Sequence, residues 1–291
     1  MAVIDISNTY QLTNVGAHID NTDVYNSNRN LLDNAYFKNV VNQRGNASYS
    51  ANAEAYWIDR WIANGSFSVS SSGLSCSSSS WYITQYFEEY RIESGKVYTL
   101  SALFSDGTIW KATGTVTTSS GATSWQLLYG TQNTSGIALR HYSAARPWQV
   151  ALWINEPKTV IAIKLEKGSY STILNDVPPD YGEELAKCQR YFLRIPNLAP
   201  SMLGAGFITS GGSGFIALVP TPVTMRTAPS VSASGAFSVR SGSSNTAVAI
   251  ITVNHLQPNG IAVAGSLTGT ANAPCYLFMN NTGYVDFSAD L

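Results

Sequence analysis

The chain has 291 residues, which is long enough for two domains or for one large β domain. Its formal net charge is −1, and no cluster of Lys and Arg matches a phosphate backbone, so nucleic acid is not an expected partner. Only 12% of the residues are charged while 11% are aromatic, which predicts an all-β protein and excludes a disordered one.

Residues 1–30 are polar and rich in Asn, and we expect an N-terminal arm or attachment segment there. The first residues lack a basic start and a long apolar run, which predicts folding in the cytoplasm without a secretory signal peptide. No stretch approaches the roughly 18 apolar residues of a membrane span, so membrane insertion is not expected.

Residues 31–175 contain all seven tryptophans, and this break in composition predicts a separate domain. The clearest element is a β-hairpin over residues 96–116, "KVYTLSALFSDGTIWKATGTV", with alternating apolar residues. Asp106-Gly107 is expected to supply the positive φ angles of its turn. Further strands are predicted at "YWIDRWIA", "WYITQYFEEYRI", "SWQLLYGTQ", "WQVALWIN" and "TVIAIKLEKG". Strands of this length between Gly, Ser and Asn turns are typical of a jelly-roll β-sandwich.

A linker helix is predicted over about residues 180–192, within a connecting segment of residues 176–194. Two prolines end the preceding strand, Asp180 is a suitable N-cap, and Glu183 stands at the capping-box position. The apolar stripe of this helix consists of Leu185, Cys188 and Phe192. Because so short a helix depends on packing, we expect the stripe to fix the two flanking β domains to each other.

Residues 195–291 hold four charged side chains, and strand-like runs of Gly, Ser, Thr, Ala and Val fill the rest. The sequence predicts a C-terminal β-sandwich domain here. Strand edges with so little charge are poorly protected against edge-to-edge association. Burial of these edges in an oligomer is one solution.

Neither a metal site nor a cofactor site is predicted. His18, His141 and His255 fall in separate regions without a metal-binding spacing. The three cysteines, at 76, 188 and 275, are too scattered for a disulfide framework or a CxxC metal site, and we expect free thiols.

Catalysis is not expected either, although a glycoside hydrolase is the enzyme class to weigh. Such an enzyme needs two carboxylates facing each other across a cleft. Asp59, Glu88 and Glu89 lie beside aromatic residues and are the candidates. The sequence alone does not set their separation.

Carbohydrate binding is the function that the aromatic content favours. Exposed Trp and Tyr rings can stack on the apolar faces of sugars, and neighbouring polar groups can bind the hydroxyls. The alternative is that these large rings belong to the core. The candidate binding residues are Trp81, Tyr82, Tyr86, Trp125 and Tyr129.

Several segments, in order along the chain, resemble phage and prophage tail-fibre proteins. "NLLDNAYFKNVVNQRG" (30–45), followed by "YWIDRW" (56–61), resembles their opening. "IAIKLEKGSYSTILNDVPPDYGEELAKCQRYF" (161–192) resembles the end of their jelly roll with its following helix. "LVPTPVTMRTAPSVSASG" (218–235) is similar to the start of their C-terminal β domain, and "LTNVGA" (12–17) to repeats leading into distal fibre parts.

The resemblance implies a structural virion protein, made in the bacterial cytoplasm and displayed on the phage tail. It implies a homotrimer that contacts other tail or baseplate proteins through its N-terminal arm. The jelly roll also resembles carbohydrate-binding modules, which implies adhesion to a bacterial surface polysaccharide. The C-terminal domain would then trimerise or form the distal tip.

Two other functions remain open from the sequence. One is a pair of carbohydrate-binding modules from a polysaccharide-degrading enzyme, which should be monomeric. The other is a capsid or baseplate decoration protein, which should be trimeric and have no affinity for host cells.

Overall fold

The computed structural model describes residues 28–118, 124–196, 201–248, 251–257, 260–280 and 283–291, without the side chains of 78–80 and 256–257. These residues confirm the all-β prediction: they form three antiparallel sheets, of nine, three and seven strands, and one short α-helix. The chain divides into two compact units between Tyr181 and Gly182, and each unit is described by itself. The predicted N-terminal arm lies outside the described residues except for residues 28–30.

The N-terminal unit contains the nine-stranded sheet. Its strands are β1 (Ser48–Ile58), β2 (Trp61–Ser70), β3 (Gly73–Phe87), β4 (Lys96–Phe104), β5 (Ile109–Val116), β6 (Leu127–Thr131), β7 (Ser135–His141), β8 (Trp148–Trp153) and β9 (Lys158–Lys167). The strand order is β5-β4-β9-β3-β8-β7-β6, with β2 also on β3 and β1 on β2. The long strand β3 pairs with β9 near its start and with β8 near its end. The sheet therefore curls toward a barrel around one hydrophobic core.

The predicted hairpin over residues 96–116 is confirmed as β4 and β5. Most apolar residues of both strands are buried in the core of the unit, while Leu103 and Ile109 are half-buried and Val97 is exposed. The turn differs from the prediction, because Gly107 has a φ of 86° whereas Asp106 does not have a positive φ. Instead, the Asp106 carboxylate accepts a hydrogen bond from the Thr108 N–H at 2.9 Å.

Two predicted strands are broken by turns. "YWIDRWIA" is the end of β1 and the start of β2, joined at Asp59-Arg60, where Arg60 has a φ of 73°. A non-Gly residue rarely takes this conformation, so the residue types here do not predict a turn. "WYITQYFEEYRI" stays in β3 only to Phe87, and Glu89–Arg91 forms a 3-10 turn.

The segment before β1 is held to the sheet by hydrogen bonds and a buried ion pair. Leu31 N–H donates to the Leu165 carbonyl at 2.8 Å, and Ile163 N–H donates to the Ala35 carbonyl at 2.9 Å. The carboxylate of Asp33 binds both terminal nitrogens of the Arg91 guanidinium at 2.8 Å. Residues 30–36 are therefore part of the N-terminal unit.

The single helix that the described residues contain is α1 (Tyr181–Gln189), which confirms a helix after the two prolines. It ends before the predicted bound, because Tyr191 N–H closes a turn on the Cys188 carbonyl at 2.9 Å. Phe192 instead starts β10 and pairs with Ser288. In the predicted stripe Cys188 and Phe192 are buried and Leu185 is half-buried. The role of the stripe in joining two domains stays a prediction.

The C-terminal unit contains the other two sheets. Its strands are β10 (Phe192–Pro196), β11 (Ser201–Ile208), β12 (Gly214–Pro220), β13 (Ser230–Ser234), β14 (Phe237–Ser241), β15 (Ser244–Val248), β16 (Thr252–Gln257), β17 (Gly260–Ser266), β18 (Pro274–Met279) and β19 (Tyr284–Ser288). The sheet orders are β10-β19-β13 and β15-β14-β18-β11-β12-β17-β16. One apolar core draws residues from both sheets. Within the described part of the chain, no helix is long and apolar enough to cross a membrane.

Candidate functional site

The outer face of β3, β8 and β7 brings several aromatic and polar side chains together. Residues paired across antiparallel strands point to the same face, so the register defines rows across this face. The rows are Tyr82 with Trp153 and Gly136, Thr84 with Ala151 and Ala138, and Tyr86 with Gln149 and Arg140. The small residues of the middle row leave space above them, and Tyr82, Trp125 and Trp153 pack over these alanines.

A directed chain of hydrogen bonds crosses the third row. Arg140 Nε donates to Gln149 Oε1 at 2.8 Å, and Gln149 Nε2 donates to Thr84 Oγ1 at 3.0 Å and Tyr86 Oη at 3.1 Å. Thr84 Oγ1 in turn donates to the Val150 carbonyl at 2.6 Å. Because a guanidinium only donates, the amide of Gln149 has one possible orientation. The backbone of β8 therefore fixes the position of Arg140.

Six side chains of this face form a continuous series of contacts, which we call the aromatic ladder. Its members, in order of contact, are Trp153, Trp125, Arg140, Tyr142, Tyr86 and Arg146.

The two arginines of the ladder lie against its rings. The Arg140 guanidinium carbon lies 4.3 Å from the centroid of the Trp125 ring and 4.6 Å from that of Tyr142. The Arg146 guanidinium lies 4.7 Å above the ring of Tyr86. Tyr86 and Trp153 are buried, so the solvent-facing groups of the ladder are the exposed Tyr142 and the half-buried Trp125, Arg140 and Arg146.

A β-bulge places a further ring at the opposite end of the face. Tyr82 pairs with Asn64 and Ser80 with Gly65, so Trp81 is the additional residue between them. Bulges re-aim side chains, and here the Trp81 ring stacks on Tyr82 at a centroid distance of 6.4 Å. Trp81 stays 56% exposed.

Tyr82 and Tyr86 are both perturbed by their surroundings. Burial, followed by the Glu54 carboxylate that accepts the Tyr82 hydroxyl hydrogen bond, raises the pKa of Tyr82. Burial likewise raises the pKa of Tyr86. Both rings therefore stay neutral hydrogen-bonding groups over the physiological pH range.

The structure places four of the five predicted binding residues on or beside this face. Tyr86 and Trp125 are in the ladder, Tyr82 packs beside Trp125 and Trp153, and Trp81 stacks on Tyr82. Tyr129 instead stacks on Trp110, with centroids 5.8 Å apart.

Five residues of the face were not predicted from the sequence, namely Tyr142, Arg140, Arg146, Gln149 and Trp153. Residues 149 and 153 alternate with the core residues of β8, so the period of two could have identified them once the strand was assigned. Arg140 lies on β7, a strand that the sequence analysis did not predict.

The carboxylates weighed for catalysis hold other parts of the structure. Asp59 has no exposed surface and accepts the Gln43 N–H at 2.7 Å. Glu88 pairs with Arg91 at 3.2 Å, and Glu89 lies 2.8 Å from His141. A substrate in solvent cannot reach Asp59 in this arrangement.

Among the described residues, no group of three or more His, Cys, Asp and Glu side chains could hold a metal ion. The three cysteines are free thiols, and all are buried. No protein family matches the sequence, and no curated protein is similar enough to be a relative.

Proposed function

We propose that the protein is a phage tail-fibre or receptor-binding protein that adheres to a bacterial surface glycan through the outer face of β3, β8 and β7. The observation that carries the binding proposal is the combination of the aromatic ladder with the exposed Trp81 on one sheet face. Sugar recognition requires apolar surfaces beside oriented polar groups, and this face supplies both.

In this proposal the N-terminal unit is a jelly-roll β-sandwich of the carbohydrate-binding-module type. Strand β3 supports this assignment, because it pairs with β9 in one part and β8 in another while both parts enclose one core. The binding face in this proposal is the side of the β3-β8-β7 segment that points away from that core.

The virion role is supported by the sequence resemblance, in which the matching segments follow one another in the expected order. In this proposal the chain is made in the bacterial cytoplasm and assembles on the phage tail as a homotrimer. Its N-terminal arm contacts other tail or baseplate proteins. The C-terminal unit, a second β-sandwich, trimerises or forms the distal tip.

The binding proposal is tested with the full chain on an array of bacterial surface polysaccharides. We expect the wild-type protein to be retained by a subset of them. Trp81→Ala and Tyr142→Ala remove exposed rings at opposite ends of the face, and each should weaken retention at least about tenfold. Both rings are partly in solvent, at 56% and 38% exposure, so the thermal midpoint should change little.

Tyr170→Ala is the matched control, since Tyr170 is a 73% exposed aromatic residue outside the face. It should bind like the wild-type protein. Retention of no polysaccharide at all, or equal retention of the wild-type protein and both face variants, would contradict the proposal.

A further inference from the structure

We propose that the face selects an anionic saccharide, whose acidic group binds at Arg140 and whose apolar ring surface contacts Trp81 and Tyr82. This inference rests on the proposed glycan binding and names the class of glycan.

The position of the arginines disfavours a purely neutral ligand at the ladder. Arg140 lies against both Trp125 and Tyr142, at 4.3 and 4.6 Å from the ring centroids. Arg146 lies against Tyr86 at 4.7 Å. One face of each of these rings is occupied by a guanidinium group, so a sugar that contacts the ladder also meets a cation. The ladder therefore places the Arg140 and Arg146 guanidinium groups, packed against aromatic rings, where they can contact a ligand.

Arg140 is held in place before any ligand arrives. Its Nε donates to Gln149, which donates to Thr84, which donates to the Val150 carbonyl. A guanidinium fixed in this way keeps the planar fork geometry that matches a carboxylate or phosphate. Less conformational entropy is lost when a ligand binds, because the Arg140 side chain is already ordered in the free protein.

The electrostatics of the site favour an anion at this end. Burial lowers the pKa of Arg140, because the protein environment disfavours its charge, and a bound anion would offset that penalty. Glu54 is the acidic side chain that the described residues place against Tyr82, and after burial its charge also contributes to the raised pKa of Tyr86. The rows of Tyr82 and Tyr86 are four residues apart, which is roughly 13 Å. Arg140 and Arg146 lie at the Tyr86 end, and the carboxylate hydrogen-bonded to Tyr82 lies nearer the other end, so a charged ligand would bind in a preferred orientation.

The test compares three trisaccharide-sized probes on the full chain by calorimetry at low and high salt. Trigalacturonate carries carboxylates, a glycerol phosphate trimer carries phosphates, and maltotriose is neutral. We expect an anionic probe to bind at least about tenfold more tightly than maltotriose, with the difference shrinking as salt increases. Tighter binding of one anionic probe identifies the acidic group.

Substitution of the arginine connects this selectivity to the ladder. Arg140→Met keeps most of the packing on Trp125 and Tyr142 and should reduce the preference for the anionic probe about tenfold, while Arg140→Lys should retain part of it. If Arg140→Met does not fold, judged by its thermal midpoint, Arg146→Met tests the second cation of the same face.

Two results would overturn the inference, and they separate it from the proposed function. Equal affinity for maltotriose and both anionic probes, or an unchanged preference in Arg140→Met and Arg146→Met, rejects the anion but leaves glycan binding standing. Binding of none of the probes, together with no retention on the polysaccharide array, rejects both proposals.

Discussion

Buried charges in the N-terminal unit occur in compensated groups. Asp33 binds Arg91 through two hydrogen bonds and lies 3.3 Å from the Nε of Arg60, whose side chain is fully buried. Arg60 also donates to the Tyr86 carbonyl at 2.7 Å, at the end of β3. These contacts connect the segment before β1 to the strand that carries the candidate site.

Asp33→Asn keeps the shape of the side chain but removes its charge. Because Arg60 would then stay buried with less compensation, we expect the free energy of unfolding to fall by about 3 kcal/mol. Urea denaturation followed by Trp fluorescence measures this change.

Glu93→Gln is the control for that substitution. It removes an ion pair with Lys167 in which the side chains are 62% and 52% exposed, so solvent screens the interaction. Its denaturation midpoint should match the wild type. If Asp33→Asn also leaves the denaturation midpoint unchanged, the ion pairs of Asp33 with Arg60 and Arg91 contribute nothing measurable to stability.

The three cysteines should react only when the protein unfolds. Burial raises the pKa of Cys76 to about 12 and also raises the pKa of Cys275, and Cys188 is fully buried. The thiolate is the reactive species, so the native protein at pH 8 should react slowly with a disulfide reagent. Three thiols should titrate in 6 M guanidinium. Rapid reaction of even one thiol in the native state would mean that its surroundings open in solution.

At the level of elements, the sequence predicted strands where apolar and polar residues alternate. The hairpin of β4 and β5 has this pattern: Tyr98, Leu100 and Ala112 are buried, whereas Val97 is exposed. Strand β1 was mostly missed, because seven of its first nine residues are Ser, Ala, Asn or Glu and most are exposed. Its position depends on pairing with β2, which single-strand periodicity does not report.

The candidate site was predicted only where aromatic residues are conspicuous in the sequence. Tyr82, Tyr86 and Trp125 stand out by residue type, and the structure brings them to one region. Arg140 and Gln149 do not stand out, since their role depends on the register of β7 against β8. That register is a long-range property, and no local pattern contains it.

The turn between β2 and β3 depends on a glycine with two constraints. Gly73 has a φ of 126°, and a Cβ there would lie 2.5 Å from the Val160 carbonyl oxygen of β9. Gly73→Ala should therefore lower the free energy of unfolding by more than about 2 kcal/mol, from backbone strain and the clash together. Thermal and urea denaturation both measure it.

Gly95→Ala separates these two effects. Gly95 has a φ of 78°, but nothing lies within 4 Å of the added Cβ. Gly95→Ala should therefore lower the free energy of unfolding by only about 1 kcal/mol, from backbone strain alone. If Gly73→Ala and Gly95→Ala lower the free energy of unfolding equally, the clash with the Val160 carbonyl of β9 is relieved without loss of stability.

At the scale of the whole molecule, one face of the seven-stranded sheet is apolar and exposed. Leu218, Ala205 and Tyr276 lie in one row across β12, β11 and β18. Met202 and Phe207 lie on the same side, and the four large side chains here are 46–57% exposed. Arg240 pairs with Tyr276 at one side of the face. Monomeric proteins rarely expose an apolar surface of this extent.

The size of this face suits the homotrimer of the proposed function. The apolar residues lie on the three central strands, and the whole sheet, with strands about 4.8 Å apart and about 20 Å long, presents roughly 600 Å². The face could therefore supply part of the ~800 Å² that each partner buries in a standard interface. Light scattering should therefore give a mass near three times 31.3 kDa for the purified chain.

Leu218→Glu places a charge in the middle of that face and should shift the mass to that of a monomer, because a carboxylate cannot be buried there without a partner. Val177→Glu is the matched control, since Val177 is an 83% exposed apolar residue of the N-terminal unit, and it should keep the wild-type mass. If the wild-type chain is a monomer, the apolar sheet face is not buried by trimerisation, and a detached carbohydrate-binding module is favoured. A trimer that persists in Leu218→Glu would move the interface away from this sheet, because a face that tolerates a buried charge is not the one that holds the copies together.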